Sequence, residues 1–117
     1  MRNFRNLEIW QQGIQLVMEI YKLCVLLPKE ERFGLISQIC RAAVSIPSNI
    51  AEGSSRNSET EYKRFLEIAL GSAFEVETQL QIIYQLKMIT TENFELIFKL
   101  LVKEEKMINS LITKLAK

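Results

Sequence analysis

Between Leu7 and Cys24 the apolar residues Leu7, Trp10, Ile14, Val17, Tyr21 and Cys24 recur at steps of 3, 4, 3, 4 and 3. That rhythm follows the helical turn of about 3.6 residues and gathers every member onto one side of an α-helix. A strand would need steps of two, and no segment of the chain alternates in that way. The spacing therefore predicts a first helix with a seam for partner helices, with Asn6 as its N-cap and Pro28 as its stop.

The same rhythm returns three times. Ile36, Ile39, Ala43, Ile46 and Ile50 predict a second helix ending near Gly53, a residue suited to a left-handed C-terminal cap. Ser58 with Glu61 three residues on reads as a capping box opening a third helix. Its stripe is Tyr62, Phe65, Ala69, Ser72, Val76, Leu80 and Ile83. Thr90 and Thr91 offer an N-cap for a fourth, striped by Phe94, Ile97, Leu101, Ile108, Leu111, Ile112 and Leu115. Four amphipathic helices joined by short connections predict an all-α fold, an antiparallel up-down-up-down four-helix bundle in one domain over residues 1–117. Pro47 removes a donor within helix 2. The apolar spacing from Ile46 to Ile50 favours a kinked, continuous helix over a stop and restart.

Several function classes are excluded or disfavoured. Histidine is absent, which removes the commonest general base and zinc ligand and every Ser-His or Cys-His dyad. A di-metal bundle would need Glu-x-x-His pairs, so no metal or cofactor is expected. Gly53–Ser54–Ser55–Arg56 lacks the lysine and strand context of a phosphate-binding loop. No enzyme is expected. Cys24 and Cys40 lie in apolar contexts without CxxC spacing and read as small buried hydrophobes of a reducing compartment. No apolar run approaches the ~20 residues of a bilayer span, and the N-terminus lacks a signal-peptide pattern. A cytoplasmic, soluble protein without membrane partners is the expectation.

Three polar groupings stand out. Ser37, Arg41, Ser45, Ser48 and Glu52 share one face of helix 2, where small side chains suit helix packing, a subunit interface or a ligand site. Arg41, Ser72, Glu75 and Gln79 make a candidate structural network with an Arg41–Glu75 ion pair; the alternative leaves both charges in solvent. Lys99, Lys103, Lys106, Lys114 and Lys117 fall within about a quarter-turn of one another on helix 4. They are candidate nucleic-acid contacts, weighed against an ordinary solvated face beside Glu104 and Glu105. Arg2, Arg5, Arg56, Lys63 and Arg64 are further, scattered candidates. With 15 basic against 14 acidic residues, a strong non-specific polyanion binder is disfavoured.

The segments FRNLEIW, LPKEERFGLISQICRAAVSIPSNIAEGSSRNS and RFLEIALGSAFEVETQL resemble the four-helix-bundle family of 23S rRNA intervening-sequence proteins, over essentially the whole chain. That resemblance implies a homopentamer and no catalysis. It also implies kinship with accessory proteins of retroelements that partner nucleic acid and a reverse transcriptase. The leading expectation is a non-catalytic oligomeric accessory or scaffold that binds RNA, DNA or a ribonucleoprotein. The alternative is a structural protein–protein interaction module that never meets nucleic acid.

Overall fold

A computed structural model describes residues 2–115. Its helices are α1 (Glu8–Cys24), α2 (Leu35–Ser54), α3 (Glu59–Gln85) and α4 (Thr91–Leu115), with short 3-10 turns at Phe4–Asn6 and Lys29–Glu31. The long dimension of 43 Å matches the ~40 Å of a 27-residue helix, so the four lie side by side. Each packs antiparallel to the next. Cys24 faces Cys40 between α1 and α2, Ser45 faces Ser72 between α2 and α3, and Tyr84 stacks on Phe94 between α3 and α4. Lys103 approaches Glu8 across the α4–α1 seam, which is the least extensive of the four. The up-down-up-down order expected from the four stripes is the observed one.

The core stripe of α1 is rotated by one residue from the expected seam. Ile9, Gly13, Leu16, Ile20 and Leu23 are buried, whereas Trp10 and Val17 are half-buried and Ile14 and Tyr21 are 40% and 51% exposed. α1 carries two adjacent apolar stripes. The inner one holds the compact aliphatic residues and the glycine that let neighbours approach, and the outer one holds the aromatic residues. α2 buries Ile39, Ala43, Ile46 and Ile50 as expected. α3 buries Leu66 and Ala73 where Phe65 and Ser72 were expected, with the remainder of its stripe in place.

The helix ends differ from expectation in instructive ways. Asn3, not Asn6, caps the opening 3-10 turn, and α1 starts after Leu7 without a side-chain cap. Gly53 is no left-handed cap: no glycine has a positive φ, and α2 runs through it to Ser54. A Cβ at Gly53 would lie 2.6 Å from the Cβ of Phe65, so glycine is required there for helix contact. The left-handed residue is Lys87, φ 62°, where Met88 N–H donates to Ile83 C=O and Lys87 N–H to Tyr84 C=O in a Schellman closure of α3. Ser58 does accept from the Glu61 amide at 3.1 Å, and Thr90 accepts from Asn93. α2 is continuous through Pro47, whose ring packs over Gly13 of α1.

The Arg41–Glu75 pair does not form. Among the described residues the ion pairs are Glu19–Lys22, Glu52–Arg56 and a long Glu8–Lys103 contact. The register that sets Ser45 opposite Ser72 and Gln38 opposite Gln79 brings Arg41 level with buried Val76, and both Arg41 and Glu75 reach solvent. Amide and hydroxyl side chains supply the polar contacts of this seam. Gln79 donates to Gln38 at 3.2 Å and to Glu75 at 3.4 Å, and Asn49 donates to the Ser45 hydroxyl at 2.8 Å. The Gln38–Gln79 and Ser45–Asn49 bonds are uncharged and avoid the desolvation that a buried ion pair must overcome.

Candidate nucleic-acid interface

α4 turns Ile97, Leu101, Ile108 and Ile112 to the core, which sends Lys99, Lys103, Lys106 and Lys114 to solvent. Lys117 lies outside the described residues. Lys99, Lys103 and Lys106 border a shallow groove of about 700 Å³ floored by half-buried Phe98, Val102 and Met107, with Glu95 at its edge. Phe98 is held by a stack that runs to Phe94 at 5.4 Å and on to Tyr84 at 4.3 Å. The Tyr84 hydroxyl closes the chain with a 2.8 Å hydrogen bond to Thr91. This stack fixes the outer face of α4 against α3. Lysines over an apolar floor offer point charges for phosphates and a surface for sugar or base edges.

The structure also gathers residues that the sequence leaves scattered. Antiparallel packing brings the N-terminus and the α2–α3 turn to one end of the bundle. There the Arg2 guanidinium donates to the Arg56 carbonyl at 2.9 Å and lies 4.1 Å over the Tyr62 ring. Arg56 lies 4.7 Å over Phe65 and pairs with Glu52 at 3.0 Å. Arg2, Ser55, Arg56 and Asn57 line a recess there. Exposed Arg5 and Arg64 and half-buried Lys63 belong to the same end, as does Lys114 at the end of α4. The small-residue face of α2 is divided among neighbours: Ser45 meets α3, Ser48 lines an apolar groove against α1, and Glu52 holds Arg56. That α1–α2 groove, about 330 Å³, is walled by Phe4, Trp10, Ile14, Val17 and Val44.

Glu104 and Glu105 do not flank the lysine face as solvated charges. Both are buried. Glu104 is 0% exposed, sits beside Gly13 at the α4–α1 seam, and neither carboxyl oxygen has a hydrogen-bond partner. Burial pushes its carboxyl up to about 8, with the Glu8 carboxylate adding to the shift. Glu105 is likewise pushed up to about 8, by burial first and then by the Glu77 carboxyl beside it on α3. Both are therefore largely protonated near neutrality, and the outer face of α4 is more positive than the sequence count suggests. The signal was present in the spacing. Leu101 and Ile108 are seven residues apart, and position 104 is the stripe position between them.

Among the described residues no group of three potential ligands could hold a metal ion, and no helix is long and apolar enough to cross a membrane. The family model described as "23S rRNA-intervening sequence protein" matches residues 5–110. The chain belongs to that family. The fold of this intervening-sequence family member is also similar to a crystal structure solved at 1.70 Å from Bacteroides thetaiotaomicron VPI-5482. That structure is of a protein with unknown function from the S23 ribosomal protein family. The two share 28% identity with a TM-score of 0.83, covering 89% of this chain and 97% of the other. No curated protein matches the intervening-sequence family member.

Proposed function

We propose that the protein is a non-catalytic accessory bundle that assembles with copies of itself and binds RNA or DNA, alone or within a ribonucleoprotein. The observation that carries this reading is the outer face of α4, where Lys99, Lys103 and Lys106 surround one apolar-floored groove. Their charge is not cancelled by Glu104 and Glu105, which are buried and shifted toward the neutral form. Repetition of this face in a symmetric oligomer would raise the number of simultaneous phosphate contacts and hence the avidity. The basic end built on Arg2 and Arg56 extends the surface available to the same strand.

Reversing Lys99, Lys103 and Lys106 to glutamate tests the reading by fluorescence anisotropy with a labelled RNA and a labelled DNA oligonucleotide. All three side chains are exposed, so the variant should keep its circular dichroism and melting behaviour while binding falls at least about 100-fold at low salt. Unchanged affinity in a folded triple variant would remove α4 from the interface. Self-assembly is tested separately by sedimentation equilibrium, where a mass above one chain is expected and a monomer at micromolar concentration would contradict the oligomer.

A protein–protein module is the second reading, favoured by the α1–α2 groove and its half-buried Trp10 and Val17. It would stand if neither oligonucleotide binds.

A further inference from the structure

From the juxtaposition of Cys24 and Cys40 we infer that the α1–α2 seam carries a dithiol site that low-molecular-weight disulfides, of the glutathione type, convert to an intramolecular cystine. Cys24 ends α1, and Cys40 lies in the second turn of α2. Their sulfurs are 3.5 Å apart, and both side chains are half-buried rather than sealed in the core. A disulfide requires about 2.05 Å, so the two sulfurs must close by roughly 1.5 Å, within reach of small side-chain rotations on two helices already in contact.

The chemistry balances without a metal or a second protein. One cysteine thiolate attacks the small disulfide, forms a mixed disulfide and releases one small thiol. The neighbouring thiol then gives up its proton and attacks the protein-bound sulfur, closing the Cys24–Cys40 bond and releasing the second small thiol. Two protein thiols are oxidised and one small disulfide is reduced. The pair resists casual oxidation, because burial and the contact with Cys40 push the Cys24 thiol up to about 12, where thiolate is scarce at neutral pH. Conversion therefore calls for an oxidising thiol pool and not a transient exposure.

The cystine would close the connection between α1 and α2 into a covalent loop. This connection carries Val25 and Phe33, 84% and 89% exposed, and is held by one 3-10 turn and local hydrogen bonds. Tying its ends together restrains the end of the bundle opposite the Arg2–Arg56 cluster. The site lies on α1 and α2, on different helices from the lysines of α4.

The test incubates the whole protein with glutathione disulfide at mildly alkaline pH, followed by alkylation, tryptic mapping without reduction, and thermal melts. A linked pair of peptides, residues 23–29 joined to residues 33–41 and two hydrogens lighter than their sum, is expected. The melting midpoint should rise on the order of 10 °C and return on reduction. Cys24→Ser and Cys40→Ser should each stop at the mixed disulfide and show no such rise. Disulfides between chains, mixed disulfides that never close in the wild type, or a thermal rise that persists in either serine variant would each overturn the assignment.

Discussion

Raising the pH from about 4.5 to about 8 weakens the bundle, and Glu104→Gln removes a large part of that loss. In the unfolded chain the Glu104 carboxyl titrates near its ordinary value of 4.5, whereas in the folded chain it holds its proton to about 8. Below the lower value both states are protonated and the group has no pH-dependent effect. Between the two the folded state binds the extra proton, so stability falls as pH rises, by up to about tenfold in the folding equilibrium per pH unit. Above about 8 the loss is complete and the curve flattens. Glu105 adds a similar slope through the same window. The charged neighbours act in known directions: Glu8 from α1 and Glu77 from α3 favour the protonated forms, and Lys103 stands 4.0 Å from Glu8. Denaturant melts across this range should show the wild type losing stability steadily. The glutamine variant should be flatter and the more stable protein at the alkaline end. Parallel curves would mean that Glu104 is not titrating inside the fold.

Gly53→Ala and Gly71→Ala should change stability in opposite directions. Alanine improves helix propensity at either position by about 1 kcal/mol. At Gly71 the new methyl meets nothing within 4 Å, so that gain is realised. At Gly53 it would lie 2.6 Å from the Cβ of Phe65 and 3.3 Å from the Tyr62 ring. The Phe65 Cβ is fixed to its backbone and cannot swing aside, so α2 and α3 must part. Overpacking of this kind costs about 1–3 kcal/mol and spreads along the most extensive helix pair of the bundle. Urea denaturation should therefore place Gly71→Ala above the wild type and Gly53→Ala below it. Equal gains in both would show that the α2–α3 approach is looser than the structure has it.

The readable parts of this chain were those in which one pattern had one solution. The buried residues of α2 and α4 lie where their spacing puts them, because the repeat from Ile39 to Ile50 and from Ile97 to Ile112 defines one inward face, although apolar residues such as Phe98, Val102 and Met107 lie outside it. α1 offered two apolar stripes one residue apart, and periodicity alone could not choose between them. The choice is made by Gly13, which admits Pro47 and Glu104, information that lies in other helices. Glu104 was misread because a charged residue is assigned to solvent by default, although the gap between Leu101 and Ile108 marked its position as inward. Gly53 was recognised as special for the wrong reason: a glycine near a helix end suggests a left-handed cap, but here the demand is for space. Arg41 and Glu75 shared a level only approximately, and the register that decides their pairing is set by contacts of Ser45 and Gln38 with α3. The lysine face was legible because exposed residues spaced at the helical repeat need no partner to define their direction.

These features describe one division of labour. Compact apolar residues hold α4 against α1 and α3, two carboxyls are buried among them, and the lysines opposite are left to the solvent side. The measurement that tests this account most directly is the salt dependence of binding by the wild-type protein to a labelled RNA oligonucleotide. Engagement through three lysines on α4 predicts that log K falls linearly with log salt, with a slope of about −2 or steeper for each bound chain. Absence of binding at low salt, or an affinity that does not change with salt, would contradict it.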